Sequence, residues 1–198
     1  IVLENIRNLK FSDLITLNEN GTTTLNATGT AVEEPVATKG FNTDNIKTAI
    51  NTFKTAGYTV NQTSAIIGGL LQESGLNPSS GNSNGGPYGI AQWLNTKDDK
   101  RLDRLKSFKN AWNRLDIQLD FIIYEFNNKE ASAGRKLKSA DTIEKAVAAF
   151  AAYERYNGII AKDGVTYEEV VAARETGNRI GYAKSILNRI NSGEFGKY

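Results

Sequence analysis

At 198 residues, with a formal charge of +2 and neither cysteine nor histidine, the chain has room for one good-sized domain with its own core, or for one domain and an extension. The near-neutral charge creates no strong field for nucleic acid or an anionic membrane, and no apolar run is long enough to span a bilayer. Without Cys or His there is no disulfide framework, no thiolate zinc site and no serine–histidine or cysteine–histidine nucleophile, so proton transfer in an enzyme of this composition falls to carboxylates, with no metal or cofactor implied.

The first forty residues differ from the rest. "ITLNENGTTTLNATGTAVEEP" is rich in Thr, Asn and Gly, and Asn20-Gly21 between Thr-rich runs is a type I′ hairpin signal. "TLNENGT" nearly recurs as "TLNATGT", which fits the arms of a hairpin or a packed linker better than a solenoid. Glu33-Glu34-Pro35 marks the boundary region, and we expect residues 1–39 to form an extended or β-hairpin arm and residues 40–198 the main domain. A start at Ile1 in a chain without Met leads us to expect a piece of a longer or processed protein.

From Phe41 the pattern is helical. Thr43 can cap a helix carrying Ile46, Ala49, Ile50 and Phe53, stopped by Gly57. A second helix starts at Asn61 or Thr63, carries Ile66, Ile67, Leu70 and Leu71, and stops at Gly75 and Asn77-Pro78. A charged helix covers Asp98 to Phe108, and Leu115, Leu119, Ile122, Ile123 and Phe126 make a strongly amphipathic fourth. Asp141 and Glu144 resemble a capping box before Ala146, Val147, Phe150 and Tyr153. Thr166 opens a last helical region reaching Ile190, with a break expected at Thr176-Gly177.

The end of the second helix carries the chemistry. Glu73 lies three residues after Leu70 and seven after Ile66, on or beside the apolar stripe, and at the negative end of the helix dipole. Burial and dipole both disfavour its ionised form and should raise its pKa, as a general acid requires. A helix-end glutamate on its own is more often a solvated surface residue, so its neighbours matter. The polar loop "NPSSGNSNGGP", including Ser79, returns the chain to "YGIAQW". There Gly89 permits close backbone approach, Gln92 offers a donor and an acceptor, and Tyr88 and Trp93 offer flat faces suited to sugar rings. Together they describe a carbohydrate groove.

"AIIGGLLQESGLNPSSG…YGIAQW" resembles the phage tail lysozyme family, a branch of the lysozyme-like and lytic-transglycosylase fold: a helix ending in Glu-Ser, a Gly/Asn/Pro loop, then Gly-hydrophobic-x-Gln-Trp. Weaker similarity continues through Arg101 and Leu105, "IQLDFIIYE", "FAAYERYNG", Arg179 and Ala183. The resemblance implies a mainly α, lysozyme-like fold with a short β or loop insert at the active site. It implies Glu73 as catalytic acid, with Gln92 and the backbone of Gly89 to Ala91 lining the cleft. It further implies action on the β-1,4 bond after N-acetylmuramic acid in peptidoglycan, by a protein of a phage tail or baseplate that meets other tail proteins and opens the wall during DNA entry. Related domains also occur in conjugation machinery.

A paired-carboxylate hydrolase needs a second acid at about 5–5.5 Å for retention or about 6.5–9.5 Å for inversion. Asp98, Asp99 and Asp103 follow the motif most closely, though "DDKRLDR" also reads as a solvated helix start. Glu125 and Glu154 lie on later helices and also read as partners of Arg101, Arg155 or Arg179. The sequence favours hydrolysis over lytic transglycosylation because the polar loop Ser79 to Asn84 could hold a water. A non-catalytic glycan-binding tail module is the competing class.

Overall fold

The computed structural model describes residues 15–17, 23–25, 35–154 and 176–198. The chain divides into two compact units, Ile1–Glu33 and Glu34–Tyr198. In the first, β1 (Ile15–Leu17) and β2 (Thr23–Leu25) pair antiparallel, with Ile15 opposite Leu25 and Leu17 opposite Thr23. Asn20-Gly21, the expected turn, lies outside the described residues.

The second unit is mainly α-helical. Among the described residues it holds seven helices: α1 (Thr43–Thr55), α2 (Val60–Ser74), α3 (Arg101–Phe108), α4 (Leu115–Asn127), α5 (Ala131–Ser139), α6 (Ile143–Glu154) and α7 (Thr176–Asn191). None is long and apolar enough to cross a membrane. Residues 36 to 38, which the sequence counts with the arm, are bonded to α7: the Val36 amide donates to the Gly181 carbonyl at 3.1 Å, and the Thr38 hydroxyl pairs with that of Ser185 at 3.0 Å.

The expected stripes become the core. Ile46, Ala49, Ile50 and Phe53 of α1 are buried, as are Ile66, Ile67, Leu70 and Leu71 of α2. Each large apolar side chain fully withdrawn from water contributes about 1.5–3 kcal/mol. α2 is the central helix, packed chiefly on α7 and α6 and also on α1. The pair Gly68-Gly69 permits this. A methyl group on Gly68 would sit 2.6 Å from the Ala183 backbone nitrogen, and one on Gly69 would sit 2.5 Å from the Phe150 ring.

Several starts differ by a residue or more from those expected. Asn42 rather than Thr43 caps α1, its side chain accepting from the Asn45 amide. Thr59 caps α2 in a full capping box with Gln62. At α6 the bond to the Lys145 amide comes from Thr142, while Asp141 is exposed and bonds Lys145 by its side chain. The helix α5 was not expected at all. α7 contains Thr176-Gly177 at its start, and the expected helical stretch before it, residues 166–175, lies outside the described residues.

Candidate active site

The end of α2 is built to hold its last residues in place. Gly75 takes the left-handed conformation at φ 65°, which lets its amide close on the Leu71 carbonyl at 2.9 Å and that of Leu76 on Leu70 at 3.3 Å. Leu76 is fully buried, and the Asn45 side chain from α1 holds its carbonyl at 3.1 Å. Ser74 donates its hydroxyl proton to the Ile90 carbonyl at 2.9 Å. That bond ties the Glu-Ser end of the helix directly to the Gly-Ile-Ala-Gln-Trp phrase. Glu73 therefore projects from a fixed helix terminus, with about a quarter of its side chain exposed.

The phrase itself sits in a loop closed by isolated bridges, Gly81 with Tyr88 and Tyr88 with Trp93, rather than in a sheet. Gln118 of α4 is fully buried and pins it from below: its oxygen accepts from the Ile90 amide at 2.9 Å and its nitrogen donates to the Pro78 carbonyl at 2.9 Å. Gly89 is at φ 79°, and a side chain there would meet the Gln118 oxygen at 2.7 Å. Gln92 donates to the Gly89 carbonyl at 2.8 Å, leaving its own carbonyl oxygen as the group to offer a ligand.

A cleft of about 500 Å³ opens beside Glu73, lined also by Pro87, Ala91, Gln92, Leu94, Thr96, Asp99, Arg101 and Glu154. It brings together four residues expected from the sequence: Glu73, Gln92, Asp99 and Glu154. No group of three or more acidic residues among the described ones is arranged to hold a metal ion.

Two electrostatic clusters flank the cleft. In the first, Glu154 of α6 accepts from the Arg179 Nε at 2.9 Å, while an Nη of the same guanidinium pairs with Glu73. Burial, reinforced by the charge of Glu73 and only partly opposed by Arg179, pushes the Glu154 carboxyl up to about 7. In the second cluster, fully buried Glu125 accepts from Arg101 at 2.9 Å, Arg104 at 2.9 Å, the Tyr153 hydroxyl at 2.7 Å and the Trp93 indole at 3.3 Å. Burial alone would raise it, but Arg101, Tyr153 and Arg104 outweigh burial and hold it below the ordinary carboxylate range.

The family model for phage tail lysozyme matches residues 44–190, most of the chain and all of the site just described. The chain belongs to the phage tail lysozyme family. That name supports a glycoside-hydrolase, or lysin, role and a place in a phage tail. No curated protein and no solved structure matches the chain.

Within this family member the other expected residues are placed differently. Trp93 is 1 % exposed, with its indole N–H given to Glu125 and to the Tyr153 oxygen at 3.1 Å. Its face is therefore closed to a sugar, because the ring completes the core. Tyr88 is likewise buried, its ring edge-on to Trp112 at 5.2 Å. Ser79 is exposed and its backbone turns on Asn77, and Ser79 to Asn84 do not line the cleft. Asp98 faces a neighbouring cavity with Lys100, Lys129 and Glu130, and Asp103 is exposed and bonded by Asn95. Gln118 and Tyr153 were missed as functional supports. A signal existed for Gln118: with Ile122 and Glu125 it falls at helical spacing on the buried face of α4, where a polar residue needs a partner.

Proposed function

We propose that this protein is a peptidoglycan glycosidase of the muramidase type. It would cut the β-1,4 bond between N-acetylmuramic acid and N-acetylglucosamine as part of a phage tail or baseplate. The observation that carries the reading is a partly exposed carboxylate at a rigid helix end, Glu73, opening into a cleft shared with Gln92 and Asp99. Glu73 gives its proton to the bridging oxygen as the bond breaks. Gln92 accepts a hydrogen bond from a substrate hydroxyl or amide. Asp99, paired with Arg104, is the carboxylate available to orient the attacking water or balance the sugar cation. The water-holding role once expected of Ser79 to Asn84 passes to Asp99 and Thr96, because these two line the cleft.

The partners are then glycan strands of the wall and neighbouring tail proteins, with action outside the host membrane. Glu73→Gln keeps the size of the side chain and removes its proton. Lysis of purified peptidoglycan should fall about 10²–10⁴-fold with thermal unfolding unchanged. Wild-type lysis by that variant would sink the assignment, and binding without cleavage by the wild type would leave a glycan-binding tail module. Mass spectrometry of the released fragments should find reducing muramic acid ends. A product dominated by 1,6-anhydro ends would make the enzyme a lytic transglycosylase instead.

A further inference from the structure

Two large apolar side chains stay exposed among the described residues, and the cleft accounts for only one of them. Leu94 lines the cleft, whereas Tyr124 is 43 % exposed on α4, a helix that contributes nothing to it. The Tyr124 ring is held in place. It stacks on Phe121 at 20° and lies 5.0 Å from the Phe108 ring. A fixed, half-open aromatic offers a large contact area at little cost in lost freedom.

α1 and α4 pack together and leave a groove of about 430 Å³ on their outer sides, a volume in the range of small-ligand sites. Asn51, Thr52, Thr55 and Ala56 form its α1 wall, and Asp120 and Ile123 its α4 wall. Tyr124 follows Ile123 and stands one helical turn past Asp120 on the same face. No residue of this groove lines the active cleft.

The polar groups of the groove suit a neutral, hydroxyl-rich ligand. Thr52 spends its hydroxyl proton on the Thr48 carbonyl at 3.0 Å and keeps its oxygen as an acceptor. Lys109 holds Oδ2 of Asp120 at 2.8 Å and leaves Oδ1, so the local charge is balanced while an acceptor remains. Asn51 and Thr55 are exposed and offer donors and acceptors. The composition of α1 points the same way. Thr48, Asn51, Thr52 and Thr55 fill its outer face, where Ala, Lys or Glu would stabilise a helix better. A merely solvated face gains nothing from that choice. A hydrogen-bonding face does.

Resting on the reading of wall glycan as the substrate, we propose that the α1–α4 groove and Tyr124 form a second, non-catalytic site for the glycan backbone. A sugar face lies on the Tyr124 ring, and its hydroxyls meet Asn51, Thr55 and Asp120. Once one site is engaged, binding of the same polymer at the other becomes intramolecular. The groove serves retention on the wall, while the cleft does the chemistry.

The test separates the two. In a Glu73→Gln background, binding is read without cleavage, on long glycan strands stripped of their stem peptides. Adding Tyr124→Ala, or Asn51→Ala together with Thr55→Ala, should weaken that binding at least about tenfold, the avidity of one lost site. The paired alanines favour the helix, so that variant should melt no lower than its parent. With Glu73 intact, the same changes should leave kcat/KM on fragments of two disaccharide units within about twofold, because distant sites act independently. Unchanged affinity for the long strands in either variant overturns the proposal. An equal loss on the short fragments overturns it too, since the effect then reaches the cleft. Self-association that the paired alanines abolish would give the groove to a second copy of the chain, which is a third refutation. If the wild type fails to cut while long-strand affinity still depends on Tyr124, the glycosidase reading fails and the groove stands. If the wild type cuts and neither change weakens retention, the groove fails and the glycosidase stands.

Discussion

Glu125 and Glu154 form a natural pair for comparison. Both are buried glutamates on core helices and both bind arginine; Glu154 lines the cleft, and Glu125 holds Arg101, which lines it too. Their environments diverge in the ratio of donors to carboxylates. Glu125 alone collects two arginines, a phenol and an indole, so its charge is fully compensated and its carboxyl is held low. Among the described residues Glu154 pairs with Arg179, which also pairs with Glu73, and keeps its Oε1 unbonded, so burial wins and its carboxyl is pushed up to about 7. Both side chains are all but closed to water. The partners then decide: four donors hold the Glu125 charge, while at Glu154 burial outweighs Arg179.

The largest effect that would break this comparison is on stability. Glu125→Gln leaves Arg101 and Arg104 facing a neutral group inside the protein, and Arg101 is itself 8 % exposed. Removing one member of a buried ion pair costs about 3–5 kcal/mol, which urea titration at pH 7 should resolve. Glu154→Gln removes an ionisation that burial opposes, and stability at pH 7 should stay level or rise. Equal losses in both variants would show that the two glutamates are alike after all.

The pH dependence sharpens the same point with opposite signs. The folded value of Glu154 is raised, so between the ordinary 4.5 and about 7 the folded chain holds a proton that the unfolded chain has lost. Stability should therefore fall as pH rises across that window. Glu125 is depressed, so its contribution is complete above the ordinary carboxylate value and lost as pH drops through the folded value. Melting temperatures should peak in mildly acidic buffer, and Glu154→Gln should flatten only the neutral side. A variant that keeps the neutral-side decline would assign that slope to another group.

How far the sequence reached follows the same division between local and distant causes. Stripes on α1, α2, α4 and α6 were legible because helical spacing is a local property, and the Gly75 stop was legible because a left-handed cap has few alternatives. α5 was hidden in "ASAGRKLKS", which buries only Ala133, Gly134 and Leu137. Its closest approach is a backbone one, with a methyl on Gly134 only 2.3 Å from the Phe126 carbonyl oxygen, and such packing leaves no apolar signature. The motif points to Glu73 and Gln92, and both line one cleft. The burial of Trp93 was not legible because its partners, Glu125 and Tyr153, lie 32 and 60 residues away. A smaller effect tests that placement. Trp93→Phe removes one buried donor and should cost about 1 kcal/mol or slightly more in urea unfolding, with KM unchanged. A raised KM at constant stability would return the indole to the substrate.

The smallest expected effect concerns two adjacent aspartates that composition treats as equals. Thr96 sets them apart. Its hydroxyl accepts from the Asp99 amide at 3.1 Å, and its own amide donates to the Asp99 carbonyl at 2.8 Å, closing a turn before α3. Asp99, paired with Arg104, lines both the cleft and the neighbouring cavity, whereas Asp98 lines the neighbouring cavity and not the cleft. Asp98→Asn should leave the rate of muropeptide release within about a factor of two, since an exposed charge away from the reacting bond is screened by water and salt. Asp99→Asn should lower it by more, because the water or the sugar cation loses its nearest counter-charge. Measured side by side at one ionic strength, an Asp98 loss as deep as that of Asp99 would mean the substrate runs on into the second cavity, and the cleft beside Glu73 would then be only part of the groove.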